Sequence, residues 1–426
     1  MSMSANNNPV YIAGLGVISA IGKNVAENLH ALESGEAGME AIRYLETAHR
    51  GEFPLAEVKA SNEELAALTG VVDGKRMAPV NVSRTALLSF IAAKEALESS
   101  GLQFGAGVSL GPASAGTLAQ PHLRLGMVSA NTVGGMDKTE EFYRSFLQNP
   151  QKGKLRDVVL HECGSVTEWV ADRLGISDHI TTIDTACSSS ANAIFFAARL
   201  IRHGFLDAVV AGGADSLTRF TLNGFNTLMI LDREYCTPFD EDRRGLNLGE
   251  GAGYLLLVSQ RVAASLKSAP VAKLAGFCNR NDAYHQTASS PDGRGSFMAM
   301  QGALENSGLQ PSDIDYINLH GTGTANNDLA EGLAIKRLFD PLYPPMSSTK
   351  SFTGHTLGAS GGIEAVFSAL SVQKDLIYPN LRWRTPMKEL PFTPGTSLIR
   401  DRPIRHVLSN SFGFGGNCSS LIFSKP

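Results

Sequence analysis

One cysteine in the sequence has neighbours that suit covalent chemistry. Cys187 follows the stretch 179–183, whose β-branched residues predict a strand, and precedes the stretch 191–203, whose apolar spacing predicts a helix. Small residues, Ala186 and Ser188–Ser190, allow the backbone to turn tightly here. A thiol at a helix start faces free N–H groups and the positive end of the helix dipole, so we expect its pKa to fall. The pattern is typical of a nucleophile at a strand-to-helix turn, and a buried structural cysteine is the alternative.

Two histidines and a lysine further along the chain have surroundings that suit the same kind of reaction. His320 begins the stretch HGTGT directly after the predicted strand Tyr316–Leu319. Because glycines follow it, we expect the backbone, and not large neighbouring side chains, to position its ring. Lys350 and His355 lie five residues apart, before a helix predicted to begin near Gly362. A helix N-terminus there is suited to stabilising an anion. A hydrogen-bonded loop histidine is the alternative for His320.

A third stretch, Ser409–Asn417, places a phenylalanine among glycines. Glycine permits backbone conformations that other residues avoid. The stretch therefore predicts a mobile loop whose backbone N–H groups are available to a substrate.

Composition narrows the function classes. The 426 residues carry a formal net charge of −4 and 18% charged residues, which gives no general attraction to nucleic acid. The five cysteines are scattered, without a CxxC pair or a histidine cluster, so we expect neither disulfides nor a metal site. The first nine residues lack the pattern of a signal peptide, and no apolar run approaches the roughly 20 residues that span a bilayer. We expect a cytoplasmic enzyme.

The elements that must position these residues alternate between strands and helices, which predicts a layered α/β fold. After the stretch 264–270 the order of elements begins again, without a flexible linker, so we expect two similar halves packed as one unit. Gly14 and Gly16 in the first strand superficially suggest a dinucleotide loop, but the third glycine of that motif is missing. Buried strands are predicted at 10–19, 207–215 and 254–258 in the first half, and at 272–277 and 316–319 in the second.

The motifs, taken in order, resemble a known family. The cysteine lies in DTACSSS, the first histidine in HGTGT, and the lysine and second histidine in KSFTGHTLGA. VYIAGLGVISAIG, PFDEDRRGLNLGEGAG, NDAYHQT and SNSFGFGG match as well, so the resemblance runs from about residue 10 to the C-terminus. Together they resemble the elongating β-ketoacyl-[acyl carrier protein] synthases, the Cys-His-His condensing enzymes of the thiolase fold.

This resemblance implies a five-layered αβαβα fold built from two similar halves and usually found as a dimer. Residues 1–265 would form the half that carries the nucleophile, and residues 266–426 the half that carries the two histidines. It implies no metal or redox cofactor, because the substrates travel on the phosphopantetheine of acyl carrier protein.

The resemblance also implies the reaction. Cys187 would take an acyl chain as a thioester. His320 and His355 would bind the thioester carbonyl of malonyl-carrier protein and stabilise the enolate that forms when CO2 leaves. The carbanion would attack the Cys187 thioester and give a β-ketoacyl product two carbons longer. The backbone N–H groups of Cys187 and Phe414 would form a second oxyanion hole. Lys350, together with Glu364, would support His355.

Substrate contacts are implied in the same way. The threonines that would bind the phosphopantetheine arm are Thr287, Thr322 and Thr324. Phe414 matches a gating phenylalanine, and Val133 falls where the family often has a larger aliphatic residue in the acyl tunnel, so a longer or bulkier chain would fit. The basic pair Lys75 and Arg76 matches a surface that meets acyl carrier protein.

Some alternatives stay open. Residues 114–170 match the family poorly, and Met229 lies near the usual place of a carrier-binding arginine. The sequence therefore leaves three points open: the length of the acyl chain, whether the pathway makes a fatty acid, a polyene or a polyketide, and whether the dimer contains one kind of chain or two. A non-catalytic subunit of the chain-length-factor kind usually lacks the nucleophilic cysteine, whereas Cys187 is present. Thiolases and initiating synthases that use coenzyme A esters carry Cys-His-Asn or Cys-His-Cys sets, and His355 argues against both.

Overall fold

The predicted alternation of strands and helices is present in the computed structural model, which describes residues 8–70, 82–102, 123–151, 153 and 155–426. The strands are β1 Val10–Ser19, β2 Leu125–Ala130, β3 His179–Ile183, β4 Ala208–Asp215, β5 Gly251–Ser259, β6 Ala272–Asn281, β7 Tyr316–Asn318, β8 Met346–Ser347, β9 His406–Gly413 and β10 Asn417–Ser424. The helices are α1 Val25–Ser34, α2 Asn62–Thr69, α3 Arg84–Ser99, α4 Met136–Gln148, α5 Cys163–Leu174, α6 Ser189–Arg202, α7 Arg219–Thr227, α8 Gln260–Ala263, α9 Arg294–Ser307, α10 Ala325–Phe339, α11 Lys350–Thr353 and α12 Ser360–Lys374. Among these described helices, none has the length and apolar composition needed to cross a lipid bilayer.

The strands form one sheet whose order repeats about a central seam. The order is β3-β2-β4-β5-β1-β6-β10-β9-β7-β8. Outward from the seam, β1-β5-β4-β2-β3 corresponds to β6-β10-β9-β7-β8, and each series runs through two antiparallel pairs and then two parallel pairs. The expectation of two similar halves is confirmed. At the seam Val10 lies opposite Leu274, so the halves share one sheet, and the division at residue 265 stays a prediction.

The helices complete five layers. α6 and α12 contact each other in the middle, and each touches strands of both halves: α12 packs on β5 and β9, and α6 on β4 and β10. α3 and α5 cover the outer face of the first half, while α9, with α10 against it, covers that of the second. Almost every residue of α12 is buried, as expected of a helix that is apolar around its circumference. The αβαβα expectation is confirmed.

The two glycines of β1 serve packing rather than dinucleotide binding. A Cβ atom at Gly14 would lie 2.0 Å from the carbonyl oxygen of Ala96, and one at Gly16 would lie 1.9 Å from that of Ala92. Both oxygens belong to α3, so the glycines let this helix lie directly against the strand.

The topology determines where loops can meet. β2 runs parallel to both β3 and β4, and β7 runs parallel to both β8 and β9. The carboxyl ends of parallel neighbours lie at the same edge of the sheet, so three loops of each half meet there. The first half brings Val133, Cys187 and Asp215 to this edge.

Candidate active site

Cys187 lies in a tight turn between β3 and α6, and its side chain is buried. Ala186 has a φ of +54°, a left-handed conformation that is uncommon for a residue with a Cβ atom. Ser189 holds this turn: its hydroxyl accepts the N–H of Thr185 (2.8 Å) and donates to the carbonyl of Ala186 (2.6 Å). The predicted strand-to-helix turn is thus present, with a strained residue beside the cysteine.

The expected fall in the pKa of Cys187 is wrong. Burial raises the pKa of this thiol to about 11. The backbone N–H of Phe414, the ammonium of Lys350 and the cysteine's own N–H pull in the other direction, but they do not compensate for the lost contact with water. The thiol therefore keeps its proton in the resting protein.

His320 and His355 lie side by side and buried, with ring centroids 5.6 Å apart and ring planes perpendicular. Burial, and then the charge of Lys350, lowers the pKa of both rings well below 6.5, so both are neutral. The ammonium of Lys350 lies 3.3 Å from Nδ1 of His320. Nδ1 of His355 accepts the N–H of Leu357 (3.2 Å) and also lies 3.1 Å from the hydroxyl oxygen of Ser360. Since Nδ1 is an acceptor in each ring, the proton lies on Nε2. Each ring therefore offers one N–H donor to a ligand.

Lys350 and Glu364 form a buried ion pair, 2.5 Å between Nζ and Oε1. Burial raises the pKa of Glu364 to about 7, and the ammonium of Lys350 opposes this rise. Lys350 contacts His320 directly, and its charge also acts on His355, so its effect is not confined to His355.

The prediction of a mobile loop over Ser409–Asn417 is wrong. Residues up to Gly413 belong to β9 and Asn417 begins β10, so the hairpin leaves only a single turn, Phe414–Gly416, between the strands. A Cβ atom at Gly413 would lie 2.8 Å from the carbonyl oxygen of Thr185, so a glycine is needed for the hairpin to approach the cysteine turn.

This hairpin connects the cysteine to the histidines. The backbone N–H of Phe414 faces the Cys187 thiol closely enough to lower its pKa. Two residues earlier, the ring of Phe412 lies 5.7 Å from that of His320. One hairpin therefore lies beside both the thiol and the paired imidazoles, which come from distant parts of the sequence.

The three threonines expected to bind phosphopantetheine lie on two adjoining loops. The hydroxyls of Thr322 and Thr324 are 2.9 Å apart. Thr287 is exposed on a neighbouring loop. Hydrogen bonds between Ser289 of this loop and Asn326, two residues after Thr324, hold the two loops together. The carbonyl of Gln286 accepts the N–H of Gly415, so the loop of Thr287 also touches the turn of Phe414.

Val133 is buried in an apolar cluster that includes Leu357, and the partly buried Phe225 packs against the same cluster. The ring of Phe225 stacks on Phe414, 5.9 Å between centroids. Val133 is therefore linked to Phe414, beside Cys187, by apolar contacts that run through Phe225. Lys75 and Arg76 lie outside the described residues.

Sequence reasoning missed several residues that hold the site. The Oδ1 atom of Asn417 accepts hydrogen bonds from the Ser188 hydroxyl (2.8 Å) and from the side-chain amides of Asn192 (2.9 Å) and Asn279 (2.6 Å). This network ties the cysteine turn to the second half. Asn417 stands in the glycine-rich motif, which was the available signal, whereas nothing near Phe225 in the sequence marked it. In the described part of the chain, no group of three or more His, Cys, Asp or Glu residues is arranged to hold a metal ion.

Comparison with known proteins agrees with this geometry. Residues 7–263 match the model of the β-ketoacyl synthase N-terminal domain, and residues 271–384 match that of the C-terminal domain. The chain is 31% identical to 3-oxoacyl-[acyl-carrier-protein] synthase 2 of Staphylococcus aureus (strain COL) over 430 aligned residues, which cover 99% of each protein.

Solved structures give the same result. One chain of the ishigamide ketosynthase/chain length factor superposes with a TM-score of 0.89 at 26% identity, covering 99% of this chain and 100% of that one. The ketosynthase ApeO with its chain length factor ApeC, from Xenorhabdus doucetiae, gives a TM-score of 0.80 at 30% identity, with full coverage of both chains. The chain therefore belongs to the β-ketoacyl synthase family of condensing enzymes.

Proposed function

We propose that this chain catalyses the decarboxylative Claisen condensation of malonyl-acyl carrier protein with an acyl thioester held on Cys187. The observation that supports this most is the convergence of a buried thiol with two neutral imidazoles, His320 and His355, each carrying its proton on Nε2. The curated relative named 3-oxoacyl-[acyl-carrier-protein] synthase 2 supports the same reaction class.

In the first half-reaction the sulfur of Cys187 attacks the carbonyl of the acyl thioester on acyl carrier protein. The phosphopantetheine thiol leaves and takes up the proton that the cysteine loses. The N–H groups of Cys187 and Phe414 are near the sulfur and stabilise the oxyanion of the tetrahedral intermediate. The charge of Lys350 favours the transient thiolate.

In the second half-reaction the Nε2–H groups of His320 and His355 donate to the thioester carbonyl of malonyl-acyl carrier protein. Loss of CO2 leaves its electron pair as an enolate, whose oxygen the two donors stabilise. The enolate carbon attacks the Cys187 thioester, the C–C bond forms, and the cysteine sulfur leaves as a thiolate that takes a proton from solvent. Neutral rings suit this step, because they donate without needing to titrate.

Thr287, Thr322 and Thr324 hold the phosphopantetheine arm of the carrier on its way to Cys187. Phe414, stacked on Phe225, is the gate between this channel and the acyl pocket. Val133 lines that pocket, and Lys75 and Arg76 meet the acidic carrier protein. No resident cofactor takes part, since phosphopantetheine arrives with the substrate.

The active assembly is a dimer, either of two identical chains or with a chain-length-factor-like homologue. β3 is the terminal strand of the sheet, and its Ile180 is 39% exposed. Apolar side chains of α4 and of the segment 155–160, which contacts the helix α5 beside β3, are more than half exposed, as expected for a surface covered by a partner: Tyr143, Leu147, Leu155 and Val159. Ketosynthase/chain-length-factor pairs among the similar structures support a heterodimer.

The experiment compares wild type with the Cys187→Ala variant in malonyl-carrier decarboxylation and in condensation. We expect the variant to lose condensation and to carry no acyl group, whereas wild type incubated with acyl-carrier protein gains the mass of the acyl chain on Cys187. Condensation by the Cys187→Ala variant would rule out the proposed role. If the wild-type protein catalyses no condensation by itself but raises the condensation activity of a homologous partner chain, the chain-length-factor function would be favoured.

A further inference from the structure

Asp215 is a fully buried carboxylate at the end of β4, and the reaction proposed above does not use it. Its Oδ1 atom accepts the backbone N–H groups of Thr132 (2.8 Å) and Val133 (3.1 Å). Its Oδ2 atom accepts the hydroxyl of Thr132 (2.8 Å) and the N–H of Gly358 (2.7 Å). All these neighbours are donors, so the ionised form fits this cage, although burial raises the pKa of Asp215 to about 7.

One of these donors belongs to the turn that orients His355. Leu357 has a φ of +52°, an uncommon conformation for a residue with a side chain. Its N–H donates to Nδ1 of His355, and the next N–H in the chain, from Gly358, donates to Asp215. A Cβ atom at Gly358 would lie 2.8 Å from Oδ2, so the carboxylate packs directly against the turn. A strained turn needs such external contacts to persist.

The other donors belong to the Val133 position. The side chain of Val133 shares an apolar cluster with that of Leu357. Asp215 therefore joins two segments, the one that carries Val133 and the one that follows His355, through its two oxygens.

We propose that Asp215 is a positioning residue that holds the turn after His355, and with it the Nε2–H donor, in place against the Val133 wall of the acyl pocket. The proposal rests on the proposed roles of His355 and Val133. Asp215 touches no substrate and acts through His355. Its loss should therefore affect the step that uses His355 and spare acyl transfer to Cys187.

The test is the Asp215→Asn variant, which keeps the shape of the side chain. Its NH2 group replaces one carboxylate oxygen, so it faces the donors that this oxygen accepted and cannot accept their hydrogen bonds. We expect kcat for malonyl-carrier decarboxylation to fall about tenfold or more, because a displaced donor no longer meets the developing charge. The KM for malonyl-carrier protein and the rate of Cys187 acylation should change little. Asp215→Glu, which keeps the charge, should restore part of kcat.

Glu95→Gln provides the matched control. Glu95 is a carboxylate of α3 that accepts the N–H groups of Val17 (2.9 Å) and Val25 (2.8 Å), and burial raises its pKa as it does that of Asp215. It lies on the outer face of the first half, away from the His355 turn. This variant should lower stability without lowering the decarboxylation kcat.

A second variant, Gly358→Ala, disturbs the same contact from the other side and should produce the same selective loss of kcat. The inference is wrong if Asp215→Asn slows acylation and decarboxylation equally, or if folded Gly358→Ala decarboxylates at the wild-type rate. Failure of wild type to decarboxylate malonyl-carrier protein would instead contradict the proposed function.

Discussion

The ammonium group of Lys350 faces Nδ1 of His320 across 3.3 Å, and the same ammonium group also donates to the carboxylate of Glu364. An ammonium group can only donate, so this contact fixes the ring tautomer and leaves the Nε2–H free. Lys350 therefore acts on the site through His320 and through its charge.

Removing only the lysine should be costly. In Lys350→Met the carboxylate of Glu364 loses its partner in a buried site, so we expect the free energy of unfolding to fall by about 3–5 kcal/mol, measured by urea denaturation. The double variant Lys350→Met/Glu364→Gln should recover much of that stability. Both variants should decarboxylate malonyl-carrier protein more slowly, because Nδ1 of His320 has lost its donor. Unchanged stability of the single variant would contradict this account of the pair.

The high pKa of Cys187 predicts a steep pH profile for its alkylation. The thiolate is the reactive form, so the rate with iodoacetamide should rise about tenfold per pH unit from pH 7 toward pH 10. Cys187→Ala provides the correction for the other cysteines, and mass spectrometry of the Cys187 peptide measures the rate. A plateau near pH 8 would show instead that the helix start lowers the pKa.

The two histidines predict a loss of stability in acid. Their folded pKa values lie well below 6.5, whereas the unfolded chain titrates near 6.5. The contribution of the two histidines to the free energy of unfolding is complete above pH 6.5. As the pH falls below 6.5, the histidines take up protons in the unfolded chain but not in the folded protein, so the folded protein loses stability. Each ring then costs up to about 1.4 kcal/mol per pH unit.

The measurement is urea unfolding of wild type and of His320→Gln/His355→Gln between pH 7 and pH 5. Buried carboxyls with pKa raised to about 7, Asp215, Glu331 and Glu364, have the opposite effect, so only the difference between the two proteins isolates the histidines. Wild type should lose more stability than the variant toward pH 5. Wild-type decarboxylation should not fall as the pH rises from 6 to 8, and a fall over that range would contradict neutral donors because it would require protonated rings.

Val133 predicts product length. Val133→Phe fills the apolar cluster beside Leu357, so we expect shorter β-ketoacyl products, identified by mass spectrometry of the carrier protein. Val133→Ala is the matched variant and should leave the length unchanged or increase it. Unchanged product length in a folded, active Val133→Phe protein would place the acyl pocket elsewhere.

The reactive residues could be found in the sequence because short motifs surround them. Cys187, His320, Lys350 and His355 each stand beside small residues or glycines that the close approach of segments requires. The repeated order of elements likewise predicted the two halves. These signals are local, so one sequence suffices to read them.

Properties that depend on distant partners could not be read in this way. Ser409–Ser411 look like a loop because they are polar, yet they form a buried strand. Asn410 satisfies its amide on Glu331, and Ser420 donates to it in return. The pKa of the Cys187 thiol is another such property, because Phe414, which faces it, lies more than 200 residues away in the sequence.

The repeated strand order has one more consequence. Equivalent strand ends of the two halves lead into the same cleft: β2, β3 and β4 lead to Thr132, Cys187 and Asp215, while β7, β8 and β9 lead to His320, Lys350 and Phe414. Cys187 and Lys350 thus occupy matching places in a pseudo-symmetric pair. The two halves therefore place different chemical groups at matching strand ends, with the thiol and a buried carboxylate in the first half and the imidazole and ammonium groups in the second. Catalysis as proposed above needs groups from both halves.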